Sequence, residues 1–181
     1  MKKKINLKKA HSIWFTGYPS SGKTTIAKLL INKLDEYNLP VVNLDGDQIR
    51  NLFKNKTYNK KNRLNSVNDY INLVKIVMMT KVLVIVSANH AFKEQRKIAR
   101  KTFKSKYSEI WISTPIEVCK KRDVKKLYSK AKKGKITNLM GHDLIFDDPI
   151  NYDLKINTVV NSKKKCVDTI FNFLKIKKII N

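Results

Sequence analysis

Gly17, Gly22, Lys23 and Thr24 fall in the pattern G-x-x-x-x-G-K-[ST], spelled here Gly17-Tyr18-Pro19-Ser20-Ser21-Gly22-Lys23-Thr24. Such a turn aims consecutive backbone N–H groups at one point, and the helix that begins at its end adds positive potential there. An anionic polyphosphate is then held mostly by main chain. On this reading Gly17, Ser20, Ser21, Gly22 and Thr25 belong to the phosphate cradle. Lys23 reaches the β- and γ-phosphates of ATP, and the Thr24 hydroxyl takes a Mg²⁺ position.

A P-loop alone does not separate kinases from GTPases or motor ATPases, so the acidic residues have to decide. The apolar run 82–86 ends in Ser87-Ala88-Asn89, without the aspartate of a Walker B strand. Acid stands instead after the run 41–44, as Asp45-Gly46-Asp47. Both carboxylates can reach the carboxyl edge of a parallel sheet, where ligands bind in open α/β folds. One can organise Mg²⁺ while the other takes the proton of an acceptor hydroxyl. Asn32-Lys33-Leu34-Asp35 imitates the guanine-reading N-K-x-D, but it lies on the helix that follows the P-loop, where it cannot meet a base.

These groups need a scaffold. The stretches 12–16, 41–44, 82–86, 110–112 and 154–156 read as strands, and the third, an unbroken apolar run, as buried on both faces. Helical spacing appears over 23–37, 63–79, 93–102, from Pro115 to 122, and over 166–174. Strands alternating with helices predict an α/β fold, a three-layer sandwich of the P-loop nucleotide-kinase type with a five-stranded parallel sheet covered on both faces. The stretch 123–152 is polar, lysine-rich and broken by Gly134, Gly141 and Pro149; it is expected to be a lid on a single domain spanning 1–181. Tyr128 and Phe146 either stack on a base or pack that lid shut. His11, His90 and His142 are expected in loops or on the surface, His90 beside the acceptor pocket.

The chain has 181 residues and a formal net charge of +25. Only five of its 39 basic residues are arginine, and lysine comes with the asparagine and isoleucine that AT-rich codons specify. Runs such as Lys163-Lys164-Lys165 lack the interleaved aromatics that stacking on bases favours, so a nucleic-acid partner is not expected. The cysteines, Cys119 and Cys166, are too far apart for a metal-binding spacing and point to no disulfide framework. No stretch approaches the roughly 18 apolar residues that a membrane span needs, and the basic start is followed by no signal-peptide core. A reducing cytoplasm and a small-molecule partner are expected.

The residues quoted so far resemble the adenylylsulfate kinases, which phosphorylate the ribose 3′-hydroxyl of adenylylsulfate. Trp14-Phe15-Thr16-Gly17 enters the P-loop as in that family, and Leu44-Asp45-Gly46-Asp47-Gln48-Ile49-Arg50 is similar to its L-D-G-D-x-x-R segment. Thr114-Pro115-Ile116-Glu117-Val118-Cys119, then Arg122-Asp123, Lys125 and Leu127-Tyr128, resemble its T-P-L-E-V-C-x-x-R-D-P-K-G-L-Y run. The resemblance implies an ATP- and Mg²⁺-dependent homodimeric kinase with Thr24 and Asp45 at the metal and Asp47 near the acceptor hydroxyl. It also implies Arg50 and Arg63 on the acceptor's 5′ anionic group, and Arg122 to Tyr128 as the ATP-side lid.

The departures from that pattern fall on the acceptor side. Tyr58 stands for the aromatic that stacks on the acceptor base, Asn62-Arg63 for an Asp-Arg pair, and Ser66 for an asparagine. The loop F-I-S-P-Y-R becomes Ala88-Asn89-His90-Ala91-Phe92-Lys93, and K-N-F becomes Thr137-Asn138-Leu139. Loss of the closing phenylalanine removes stacking of about 1–3 kcal/mol, roughly ten- to hundredfold in affinity. If the base is still sandwiched, Tyr58 and Phe92 must supply the rings. Three expectations follow: a kinase of adenylylsulfate, a 3′-kinase of another nucleotide such as the cytidine diphosphoramidate of capsule decoration, or a non-catalytic P-loop protein that binds nucleic acid. Intact Lys23, Thr24, Asp45 and Asp47 argue against the third.

Overall fold

The computed structural model describes residues 4–53 and 59–181. Its sheet is built from β1 (His11–Thr16), β2 (Val41–Asp45), β3 (Leu83–Ser87), β4 (Tyr107–Ile112) and β5 (Leu154–Ile156). The order is β2-β3-β1-β4-β5 and every pairing is parallel. The helices are α1 (Lys23–Asp35), α2 (Gly46–Leu52), α3 (Lys60–Met78), α4 (Lys93–Phe103), α5 (Ile116–Arg122), α6 (Leu127–Lys132) and α7 (Lys163–Ile176).

Alternation along the central strands divides the core in two. Ile13 and Phe15 of β1, with Leu83 and Ile85 of β3, face α1 and α7 in one apolar cluster. Trp14, Val84 and Val86 point the other way, against Val67, Ile71 and Val74 of α3 and Ala99 of α4. A period of two in a strand sends neighbours to opposite faces, so a strand buried on both sides reads as a continuous apolar run. The three-layer α/β sandwich expected from the sequence follows from that geometry. Among the described residues no helix is long and apolar enough to cross a membrane.

The sequence reading missed two helices and shortened others. Gly46 to Leu52 is helical, not a plain turn, because the Asp45 carboxylate caps it by accepting the Asp47 amide at 2.9 Å. Leu127 to Lys132 forms a short helix inside the lysine-rich stretch 123–152. It is seeded by Asp123, whose carboxylate accepts the amides of Tyr128 and Ser129 at 2.9 and 2.8 Å. α3 starts at Lys60 because Asn59 caps it through the Asn62 amide, and α7 starts at Lys163 because Ser162 caps it through the Lys165 amide. β4 begins earlier than its apolar run, since Ser108 and Glu109 are buried with polar partners.

Two histidines are not at the surface. His11 lies within β1 with Nε2 2.9 Å from the Ser108 hydroxyl, and burial pushes its pKa down to about 4. His90 is buried between Trp14 and Tyr70, with ring centroids at 4.8 and 4.9 Å. Burial, with Arg96 and Lys23 adding to it, holds His90 down to about 3. His142 is half-exposed, as expected.

Candidate active site

The loop after β1 is shaped by its glycines. Gly17 has φ 150°, and a Cβ there would stand 2.5 Å from the Ile112 carbonyl oxygen of the neighbouring strand. Gly22 has φ 108° and forms the N-cap of α1, a left-handed position that side chains strain to adopt. The outer side of the turn is braced: the Ser21 carbonyl accepts from the hydroxyls of Thr114 and Thr158 at 2.9 and 3.1 Å. Tyr128 of α6 donates to the Pro19 carbonyl at 3.2 Å.

Lys23, in the first turn of α1, is buried and donates to the carbonyls of Gly17 and Tyr18 at 2.9 and 2.8 Å. Burial lowers its pKa to about 8, against the opposing pull of nearby anionic groups including Asp45. Beside it the Thr24 hydroxyl donates to Asp45 Oδ2 at 3.0 Å, an atom that also receives the Ser87 hydroxyl at 3.3 Å. Asp45 and Ser87 are directly paired across β2 and β3. The carboxylate that a Walker B strand would carry at Ser87 therefore comes from the adjacent strand.

Asp47 stands in the first turn of α2, where the helix dipole favours its charge. Its two carboxylate oxygens meet Arg50 from its own helix and Lys125 from the connection between α5 and α6. Lys23, Thr24, Asp45, Asp47, Arg50 and Arg63 share one cavity of about 660 Å³. Ser20, Gly22 and Thr25 line its phosphate end, and Asn138 and Leu139 its far end. Arg63 is oriented by donating to the Asn138 carbonyl at 2.8 Å. At 660 Å³ the space lies within the range of a cofactor-sized site.

Other expected site residues lie elsewhere. Gly17 and Ser21 are buried outside the cavity lining. Arg122 donates to the Thr158 hydroxyl and carbonyl at 2.9 and 3.1 Å, bracing the P-loop from the side. Ser66 turns its hydroxyl to the Arg63 carbonyl at 2.8 Å. Phe92 caps α4 and is buried with Ala91, Met140 and Phe146. Tyr58 lies outside the described residues. Tyr128 and Phe146 are docking residues: Tyr128 packs with Cys119, Ala131 and Leu139, and Phe146 meets the Tyr18 ring at 4.7 Å.

The sequence reading did not single out Asn59, Asn89, Lys125 or Ile136 for the cavity, although all line it. Asn89 had a usable signal, since it directly follows a strand at the carboxyl edge of the sheet. Its Oδ1 is buried with no hydrogen-bond partner among the described residues.

Comparison with known proteins agrees with this geometry. Residues 9–157 match the adenylylsulphate kinase family. An adenylyl-sulfate kinase of Clostridium acetobutylicum is 33% identical over 180 residues, covering 99% of this chain and 90% of that protein. A probable adenylyl-sulfate kinase of Pyrococcus abyssi is 37% identical over 148 residues, covering 81% and 84%. The structure of the Mycobacterium tuberculosis APS kinase CysC in complex with AMPPNP and APS superposes with a TM-score of 0.88 at 29% identity, covering 92% of this chain and 98% of that one. With its P-loop, its Asp45-Gly46-Asp47 turn and its near full-length similarity, the chain belongs to the adenylylsulphate kinase family.

Proposed function

We propose that this protein transfers the γ-phosphoryl group of ATP to the ribose 3′-hydroxyl of adenylylsulfate. The observation that carries this reading is one cavity lined by the P-loop and Lys23 together with Asp47, Arg50 and Arg63. The acceptor oxygen attacks the γ-phosphorus, the bond from that phosphorus to the ADP oxygen breaks, and ADP leaves with the electron pair. The hydroxyl proton passes to the Asp47 carboxylate. The P-loop amides and Lys23 hold charge on the phosphates as it shifts toward ADP, and Arg50 and Arg63 set the acceptor's orientation through its anionic group.

The donor set fits Mg²⁺. Thr24 Oγ1 and Asp45 Oδ2 are hard oxygen ligands 3.0 Å apart. Among the described residues no cluster of three or more His, Cys, Asp or Glu forms a protein-only metal cage. Mg²⁺ characteristically takes one or two protein oxygens and completes its shell with phosphate and water. When bound, the ion neutralises charge on the transferred phosphate.

Leu139 favours a second reading. It occupies the cavity wall where the resemblance calls for a phenylalanine, and it is packed against Tyr128 and Ala131. A smaller pyrimidine nucleotide, such as a cytidine diphosphate derivative of a capsule pathway, loses less from that change than adenine does. An ATP-coupled assay with adenylylsulfate and cytidine 5′-diphosphate derivatives at matched concentrations decides between them. Preference for adenylylsulfate with a 3′-phosphorylated product supports the first reading, and preference for a cytidine substrate replaces it with the second. The two buried free cysteines accord with a reducing cytoplasm. The homodimer implied by the family resemblance is checked by the sedimentation mass.

A further inference from the structure

Arg96, on α4, does not line the cavity, yet its buried guanidinium is where four stretches of chain meet. Nε faces Glu109 Oε1 of β4 at 3.1 Å. Nη1 donates to the carbonyls of His90 and Ala91 at 2.9 and 3.0 Å. Nη2 donates to the Asp147 carbonyl at 2.6 Å, and the guanidinium lies 5.7 Å from the centre of the Phe146 ring. The joined segments are also stitched to each other. The Asp147 amide donates to the Ala91 carbonyl at 3.0 Å, and the Lys93 amide to Asp147 Oδ2 at 3.0 Å.

His90 and Ala91 directly follow Ala88 and Asn89, which form one wall of the acceptor end of the cavity. Asp147 lies in the same lid stretch as Ile136, Thr137, Asn138 and Leu139, which also line the cavity. The two lining stretches come from chain regions some fifty residues apart, and Arg96 donates to residues that follow each of them, Ala91 and Asp147. The P-loop is held mainly by Thr114, Thr158, Arg122 and Tyr128, and meets the junction only where Tyr18 packs on Phe146 and Thr16 donates to the His90 carbonyl. A guanidinium suits this post because its planar fork donates in several fixed directions, whereas an ammonium is one point charge on a flexible stem.

We propose that Arg96 is a positioning residue that locks the β3–α4 loop and the end of the lid into one unit, so that the seating of the lid sets the acceptor site more strongly than the ATP site, whose phosphate turn the lid touches only through Tyr18 and Pro19. The inference rests on the acceptor site assigned above. It reaches further, since it names a residue outside the cavity that governs one substrate more than the other.

The test compares Arg96→Lys, which keeps a cation beside Glu109 and so protects the fold, with Arg96→Met and the wild type. The first readout is amide hydrogen exchange of the folded protein. In Arg96→Lys the Lys93 and Asp147 amides lose protection together, by about tenfold, while those of Ser21 in the P-loop and Ile26 in α1 do not change. The second is steady-state kinetics: the acceptor KM rises about tenfold, equivalent to about 1.4 kcal/mol, with the ATP KM within about twofold. Exchange that rises on one wall only, or a KM for ATP that rises in step with that for the acceptor, overturns the proposal. So does an unchanged Arg96→Lys enzyme. Should the wild type fail to turn over adenylylsulfate, the preceding reading falls and the exchange comparison alone decides this one.

Discussion

The two ends of the cavity are built differently. The end proposed to hold phosphate is made by main chain: a turn fixed by Gly17 and Gly22, the start of α1, and Lys23 folded back on the loop. The end proposed to hold the acceptor is made by side chains from α2, α3, the β3–α4 loop and the lid, each brought from a different part of the sequence. Main-chain recognition is encoded in consecutive residues and tolerates little change, because the glycine positions have no room or no allowed φ for a side chain. Side-chain recognition can be retuned one residue at a time, and of the departures from the family pattern Thr137 and Leu139 line the cavity, while Ser66 and His90 do not.

The contrast is sharpest in the expected losses on mutation. Lys23→Ala should lower kcat by about a thousandfold with any acceptor, since a fixed cation at the transferred phosphate is lost. Asp47→Asn should cost about a hundredfold or more, as expected for a positioned general base. Near-normal turnover of either variant, in an ATP-coupled assay on protein with an unaltered melting curve, would overturn the kinase mechanism. Arg63→Ala should raise the acceptor KM by about tenfold and leave the ATP KM alone, because it removes a charge-assisted contact at one end only. Equal changes in both constants would erase the division between the two ends.

A smaller change should run in the favourable direction. Leu139→Phe returns a stacking face to the cavity wall and should lower the KM for adenylylsulfate by a few-fold, up to about tenfold. If it instead weakens adenylylsulfate while a cytidine substrate was the better one from the outset, the acceptor end has been cut for the smaller base.

The least effect on turnover, but a distinct one on stability, is expected at His90. Its folded pKa of about 3 lies below the ordinary histidine value of 6.5, so the native state refuses a proton that the unfolded chain accepts. Stability is then complete above pH 6.5 and declines as pH falls from there toward 3. His11, held at about 4, adds a second decline of the same sign. Each contributes a slope of about 1.4 kcal/mol per pH unit within its window. Denaturant unfolding at several pH values should show His90→Phe with roughly half the acid sensitivity of the wild type. An unchanged slope would mean that the ring is hydrated in solution.

Much of this protein could be read from the chain alone. The P-loop, the alternation of strands and helices, and the pairing of Asp45 with Asp47 are local patterns, set by residues within a few positions of each other. They hold in the structure because backbone geometry and burial act over that same short range. Where Asp45 would point was not local: its contacts with Thr24 and Ser87 cross 21 and 42 residues. The same holds for Phe92, which the sequence offered as a base-stacking ring and the fold uses as core, and for His90, which left the surface to pack on Trp14 and Tyr70. The helices α2 and α6 escaped notice because each depends on one aspartate capping a short polar stretch, with too few apolar residues to show a period. The Arg96 junction appears only when β4, the β3–α4 loop and the lid are packed together. A buried charge is satisfied by whatever groups the tertiary structure brings to it, and no spacing along the chain records that choice.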